Sequence, residues 1–512
     1  MSLGRTRGVA LHGIEGALVS VEADLVQGLP QVMFSGLPDA ACRQAPDRIK
    51  AAAMNSGVPI PNRRLTVNLS PASIPKVGSG WDLPIAIAIL AAADAFPAQV
   101  VDGIVHVGEL GLDGSIRPVR GVLPVVLTAA RLGMAQIVVP TANAAEAALV
   151  PGISVIPARH LSELVARYQA IGRGEQPEVI AVDPAAVPED VVVPDLRDVV
   201  GQDEGRLALE IAAAGGHHLF LSGPPGAGKT MLAERLPSLL PDLQPAQALE
   251  VTAIHSVLGA LPKSGALIVR PPFVAPHHGA SMPAIVGGGS GFIRPGAISR
   301  AHHGVLFLDE APEFKPGVLQ ALRQPVESGE VVVARATGVV RYPARFQLVL
   351  AANPCPCGRG FGKGIDCSCS PRARRDYMGK LVGPLLDRVD LQLQVRAVSR
   401  AGLLAPEGES SAQVAVRVGM ARGLQAERLA RTAYRLNSEV PGPMMRAGFL
   451  RLPTSATVDL ERALERGVLT LRGYDRVLKI AWTVTDLAGG GTPHRDDVGL
   501  ALTLRAQSAV AA

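Results

Sequence analysis

The run Gly223, Pro224, Pro225, Gly226, Ala227, Gly228, Lys229, Thr230 admits few folds, because it fits the pattern G-x-x-x-x-G-K-[ST] and stands between an apolar segment, 217–222, and a helix-forming one, 231–240. A loop of that composition between strand and helix wraps a polyphosphate with its backbone N–H groups, and the helix N-terminus adds positive potential. Lys229 then reaches the β- and γ-phosphates, and the Thr230 hydroxyl ligates Mg²⁺. The expected class is α/β, with a parallel sheet presenting ATP-binding residues at its C-terminal edge.

A phosphate loop is shared by kinases, GTPases and motors, so a second acidic site has to decide among them. Val305-Leu306-Phe307-Leu308-Asp309-Glu310 is an apolar run closing on two acids, the pattern of a buried parallel strand. Asp309 is expected to hold Mg²⁺ and Glu310 to polarise an attacking water, which favours ATP hydrolysis over phosphoryl transfer to a metabolite. A second apolar run, 346–352, ends on Asn353, whose amide can orient that water. Beyond it, Gly383-Pro-Leu-Leu-Asp-Arg388 offers a cation for the transferring phosphoryl group.

These segments, with Ala275-Pro-His-His278, Val286-Gly-Gly-Gly289 and Arg294-Pro-Gly-Ala-Ile298, resemble the ComM/YifB family of magnesium-chelatase-like AAA+ ATPases over nearly the whole chain. The resemblance implies a P-loop AAA+ core, a mixed α/β N-terminal domain similar to that of Lon protease, and a C-terminal helical lid. It makes Asn353 the first sensor and Arg388 a finger acting on the neighbouring subunit. Arg472 becomes the second sensor, returning to the γ-phosphate of its own chain, with Arg476 one turn on as the alternative. Val200 and Gln202 fall where the family's adenine pocket begins. The protein is thereby expected to form a ring, hexameric by analogy, that translocates DNA and drives branch migration in recombination or natural transformation. A magnesium-chelatase-type ATPase remodelling a metal-inserting partner is the alternative, and an ATP-dependent protease a third.

At 512 residues the chain exceeds one core and suggests about three domains. A stretch holding Pro177, Pro184, Pro188 and Pro194 among seven acids reads as an extended linker. The expected division is 1–172, linker 173–195, ATPase 196–395 and lid 396–512. No apolar run is long enough to span a bilayer and the N-terminus has no export-type core, so a soluble cytoplasmic protein is expected. A net charge of +5 is compatible with a polyanionic partner without requiring one.

The N-terminal part shows strand-like patterning at 18–26 and 64–69 and helical spacing at 39–55 and 83–93, the former despite Pro46. Pro75 to Ala86 and Gly108 to Gly114 carry the resemblance to the Lon protease domain. Aligned on those motifs, the protease serine falls at Gly80, beside Ser79, and the lysine at Leu123. A serine without a base is a poor nucleophile, so a non-proteolytic domain is expected unless Lys76 serves Ser79.

Four of the five cysteines, Cys355, Cys357, Cys367 and Cys369, lie on a glycine-rich loop that starts two residues after Asn353. Adjacent C-x-C thiols rarely bridge each other, and four thiolates can close on Zn²⁺; free thiols are the alternative. Arg359, Lys363, Arg372, Arg374, Arg375 and Lys380 surround the loop, and 411–436 carries Arg417, Arg422, Arg428, Arg431 and Arg435. Either stretch could meet a DNA backbone, although no aromatic stacking platform accompanies them. Residues 328–345 resemble the hairpin that precedes the first sensor in this clade. His277 and His278 have no acidic partner at ligand spacing and are not read as a metal site.

Overall fold

The computed structural model describes residues 2–177, 182, 193–262, 265–289, 292–335, 338–360, 367–381, 385–398 and 406–506. Most of the expected linker lies outside these residues, as do the hairpin tip 336–337, Gly362, Lys363, Gly364 and Asp366 of the cysteine loop, and Gly383.

Alternating burial along Glu15–Val26 gives that strand one face for a core, and it pairs antiparallel with Ser2–His12. They sit in a seven-stranded mixed sheet in the order Gln31–Ser35, Arg64–Ser70, Glu15–Val26, Ser2–His12, Ile104–His106, Gln136–Pro140, Ser154–Ala158. Across the hairpin lies Asp82–Ala92, a helix with every residue buried, as its all-round apolar sequence requires. Gly4 allows the contact, since a Cβ there would stand 1.9 Å from the Ala88 carbonyl oxygen. The single helix expected over 39–55 is two, Ala40–Arg43 and Ala45–Asn55. Pro46 lacks an N–H and is accommodated only in a first turn, so the second helix starts around it.

The second sheet is parallel throughout, in the order Phe273–Val274, Val305–Leu308, Gln347–Ala352, Leu219–Ser222, Leu391–Gln394. Val305–Leu308 and Gln347–Ala352 are buried at every position, which is why they read as unbroken apolar runs. Ser222 lies opposite Ala352 and Leu308 opposite Leu350, so the residues following all three strands emerge on one edge. The helix after the phosphate loop is shorter than its sequence suggests, Lys229–Arg235, continued by a 3₁₀ turn at Leu236–Leu239.

The C-terminal region is helical: Ser411–Arg428, Thr454–Glu465, Leu471–Leu487 and Arg495–Ala506 share one apolar core with Asp203–Gly215 and the ATPase sheet. Its arginines are used internally. Arg417 pairs with Glu210 and Glu409, Arg422 donates to the Ala213 carbonyl, and Arg428 pairs with Asp486 while stacking over Trp482 at 4.4 Å. These three therefore do not form the DNA-facing surface that the charge run suggested; only Arg431 and Arg435 of that series are exposed.

The N-terminal part docks on the part built around the parallel sheet through the helices Val122–Arg131 and Pro245–Leu258, with Ala253 joining its core. Glu146 accepts from the Leu123 N–H at 2.9 Å and from the Ser256 hydroxyl, tying the two together. Leu123 is fully buried. Ser79 donates its hydroxyl to Glu109, whereas Lys76 is buried with its ammonium on the Leu69 and Pro71 carbonyls. No Ser–Lys dyad forms, because both groups are committed elsewhere.

Candidate active site

Two glycines set the phosphate loop. Gly226 and Gly228 have φ of +75° and +92°, a region that side chains disfavour, and Gly228 caps the following helix. Gly223 has no room for a side chain, since a Cβ would lie 2.2 Å from the Val395 carbonyl oxygen. The Lys229 ammonium donates to the carbonyls of Gly223 and Pro224 at 2.8 and 2.9 Å and to Asn353 Oδ1 at 3.1 Å. Burial pulls its pKa below the ordinary lysine value, against the pull of Asp309 and Glu310.

Next to it the Thr230 hydroxyl donates to Asp309 Oδ2 at 2.7 Å, while Asp309 Oδ1 accepts the Glu310 N–H at 2.8 Å. A hydroxyl and a carboxylate converging beside the phosphate loop are the donor set that Mg²⁺ takes with a nucleotide, so these residues fit the cation. Glu310 turns the chain with φ +49°, and its carboxylate Oε2 lies 3.1 Å from His278 Nδ1. The structure thus brings Lys229, Thr230, Asp309, Glu310 and Asn353 together. It also adds His278, which sequence reasoning left unexplained because its partner is distant in the chain.

Other expected residues stand elsewhere. Gln202 is buried, its amide donating to the Ala227 and Arg396 carbonyls at 2.9 and 2.7 Å. It braces the phosphate loop against the segment that follows the last strand, and Val200 nearby is half-buried. Arg388 closes the turn Leu386–Arg388, before the strand Leu391–Gln394, and Nη2 lies 2.8 Å from Glu327 Oε1. The strand separates it from the phosphate loop of its own chain, because the two lie beyond opposite ends of the parallel sheet. Arg476 pairs with Asp390 and donates to the Asp387 carbonyl at that same far end. Arg472, exposed and one turn earlier on the same helix, shares that side. The helix Leu471–Leu487 runs along the strands' N-terminal ends, where His217 meets Thr483, so Arg476 stands at the end of the sheet away from its own phosphate loop.

The four cysteines also converge. Their sulfurs all lie within 4.8 Å of one another, with Cys355 to Cys357 at 3.4 Å, Cys355 to Cys367 at 3.7 Å and Cys357 to Cys367 at 3.6 Å. Burial pushes the Cys355 thiol up to about 11, whereas the Arg359 backbone N–H draws Cys357 down to about 6. The loop touches the phosphate loop directly: a Cβ on Gly358 would stand 2.7 Å from Pro225 Cγ.

Comparison with known proteins agrees with this geometry. Residues 195–403 match the family model described as magnesium chelatase, subunit ChlI, residues 21–143 that of subunit ChlI of Mg-chelatase, and residues 408–505 that of the ChlI C-terminal region. An uncharacterised protein of Mycobacterium tuberculosis is 50% identical over 505 residues, 99% of each chain. YifB of Escherichia coli is 40% identical over 509 residues, covering 99% of this chain and 97% of its own, and the competence protein ComM of Haemophilus influenzae is 40% identical over 99% and 98%. The chain belongs to the ComM/YifB family of magnesium-chelatase-like AAA+ ATPases. As a ComM/YifB protein it has the ATP- and Mg²⁺-dependent chemistry of that family, and the convergence of Lys229, Thr230, Asp309 and Glu310 fits it. No helix among the described residues is long and apolar enough to cross a membrane.

Proposed function

We propose that this chain is the subunit of an ATP-driven ring, hexameric by analogy, that moves branched or single-stranded DNA and drives branch migration in recombination or the uptake of transforming DNA. The observation that carries the reading is the division of catalytic groups between the two ends of one sheet: Lys229, Thr230, Asp309, Glu310 and Asn353 beyond one end, Arg388 beyond the other. Beside Lys229, a γ-phosphoryl group in flight gains from an arginine on its far side, and a neighbour in a ring presents one. Arg472 and Arg476, at the same end as Arg388, act toward the neighbour as well.

Bound Mg²⁺·ATP supplies the scissile phosphoanhydride and a cation neutralising its charge. Lys229 grips the terminal phosphates, and Thr230 and Asp309 hold the cation. A Glu310 carboxylate oxygen takes the proton of the attacking water, which the Asn353 amide orients. Support for DNA comes from the whole-length likeness to a protein named for competence and from Pro371–Gly379, a helix whose Arg374 and Arg375 are exposed and whose Arg372 makes only a long pair to Asp376 at 3.6 Å.

The cysteine loop holds Zn²⁺ in this reading. Sulfur atoms about 2.3 Å from a tetrahedral ion are about 3.8 Å apart, close to the three separations measured, and the Gly360 N–H donates to Cys355 Sγ at 3.2 Å.

A second reading is favoured by the description of the matching models: a chelatase-type subunit that uses ATP to remodel a metal-inserting partner. Measuring ATPase rate with a four-way DNA junction, with a porphyrin-chelatase partner and with unfolded protein separates the possibilities. Stimulation by the junction, with strand exchange on a labelled substrate, is the expected result; stimulation by either of the others alone overturns the DNA reading.

A further inference from the structure

We infer that Arg505 is a positioning residue for Arg388: from the last turn of the C-terminal helix it holds the backbone that carries Arg388, and so sets where that cation stands toward a neighbouring subunit. The inference deepens the ring reading above, in which Arg388 acts in trans, and rests on it.

Arg505 lies in the last turn of the helix Arg495–Ala506 and is buried, and its Nη1 donates to the Val389 and Asp390 carbonyls, the latter at 3.2 Å. Burial draws its pKa down to about 10, so it keeps its charge at neutral pH. A cation in the last turn of a helix ordinarily serves that helix's own carbonyls or faces water. Arg505 instead reaches out of its helix, and a guanidinium buried only to fill space is one that an apolar side chain replaces without loss. What it reaches are the two residues after Arg388. Arg476 takes the other side, donating Nε to the Asp387 carbonyl at 2.8 Å and pairing Nη1 with the Asp390 carboxylate. The N–H groups of the same stretch are used as well: Arg388 donates to the Leu385 carbonyl at 2.9 Å, Val389 to that of Leu386 at 3.1 Å and Asp390 to that of His218 at 3.1 Å. The turn Leu386–Arg388 has three residues, too few to keep its shape alone. Two C-terminal helices therefore pin the backbone on both sides of Arg388. Its tip is set too, with Nη2 2.8 Å from Glu327 Oε1. The helices that close one chain's core thus place the cation offered to the next chain's phosphate.

The test compares the full chain with Arg505→Met, Arg505→Gln, Arg388→Ala, Glu310→Gln and the Arg388→Ala/Arg505→Met double variant. Methionine keeps the apolar stem without donors, and glutamine keeps donors that stop short of the carbonyls. Loosening the root of Arg388 lowers kcat at least about tenfold in both Arg505 variants, with ATP affinity by calorimetry unchanged. The double variant is no slower than Arg388→Ala. Mixed rings, demonstrated by mass, then assign the defect to one side of the interface. Arg505→Met recovers turnover with Glu310→Gln, which brings a well-placed Arg388 to an intact Glu310. It does not recover with Arg388→Ala, because every interface then lacks a placed arginine. Damage to the variant's own phosphate site gives the reverse, recovery with Arg388→Ala and none with Glu310→Gln. The inference is overturned by that reverse pattern, by a kcat within about twofold of wild type, by a parallel loss of ATP affinity, or by a double variant slower than Arg388→Ala. If Arg505→Met does not fold, the same mixtures are read on Arg505→Gln; loss of folded protein in both overturns the inference, since the residue then serves stability. Failure of Arg388→Ala to recover with Glu310→Gln overturns action in trans together with this inference. Recovery there, with the reverse pattern for Arg505→Met, overturns the positioning role alone.

Discussion

Lys229 and Glu310 stand within one cluster yet have different parts in the proposed reaction. Lys229 supplies charge to the phosphates, so Lys229→Ala is expected to lose most nucleotide binding, whereas Glu310→Gln keeps the shape and lacks the base, so it binds ATP and does not turn it over. Calorimetry together with a phosphate-release assay checks the pair, and equal ATP affinity in wild type and Lys229→Ala would sink the assignment. A second residue-scale expectation concerns acid stability. His106 is buried, with Nδ1 2.7 Å from the Thr6 hydroxyl oxygen and Nε2 2.6 Å from that of Tyr168, and burial lowers its pKa to about 3. The unfolded chain takes up a proton near pH 6.5 that the folded chain refuses. Stability is therefore complete above pH 6.5 and declines as pH falls toward 3, by at most about 1.4 kcal/mol per pH unit for this group. Urea midpoints at pH 7.5 and 5 should differ, and His106→Gln should remove a one-proton share of the slope.

At the scale of elements, the cysteine loop joins the end of strand Gln347–Ala352 to helix Pro371–Gly379 and abuts Pro225 of the phosphate loop. Zinc bound there would brace the sensor and the grip together. One zinc per chain is expected by metal analysis of protein purified without chelator, falling to near zero in the Cys367→Ser/Cys369→Ser double variant. ATPase should fall more than ATP affinity, since Asn353 lies at the strand exit. A zinc content unchanged by the double variant would show that the thiols are not its ligands. The cluster was legible because two C-x-C pairs on one short loop leave a short list of uses for their thiols. The arginines of Ser411–Arg428 were not: their acids and carbonyls, Glu210, Ala213 and Asp486, come from two other helices, and no local pattern announces such partners.

For the whole molecule, the decisive distance is the one between the two ends of the ATPase sheet. If Arg388 acts on a neighbouring subunit as proposed, Arg388→Ala should bind ATP normally and hydrolyse it on the order of a thousandfold more slowly. Mixing it with Glu310→Gln subunits should restore some activity, because an interface pairing the first variant's Glu310 with the second's Arg388 is complete. Failure at every mixing ratio, with mixed rings demonstrated by mass, counts against action in trans.

Residues 223–230, 305–310 and 346–353 could be read without coordinates because parallel strands buried on both faces must be apolar along their length and end in the groups they deliver. Helical spacing placed the buried helix at 82–92 to within a residue. What the linear order could not decide was direction across the fold. The helix Leu471–Leu487, which carries Arg472 and Arg476, lies along the strands' N-terminal ends, a placement that no local pattern announces. Gln202 places its amide on two carbonyls from different segments, partners that its local sequence does not name. His278 meets Glu310 across thirty-odd positions of sequence, through a contact that exists only because strands Phe273–Val274 and Val305–Leu308 are neighbours in the sheet. Periodicity along a chain records burial, which is a local property of each segment; which side chain faces which is set by strand order and helix placement, and those are properties of the packed molecule alone.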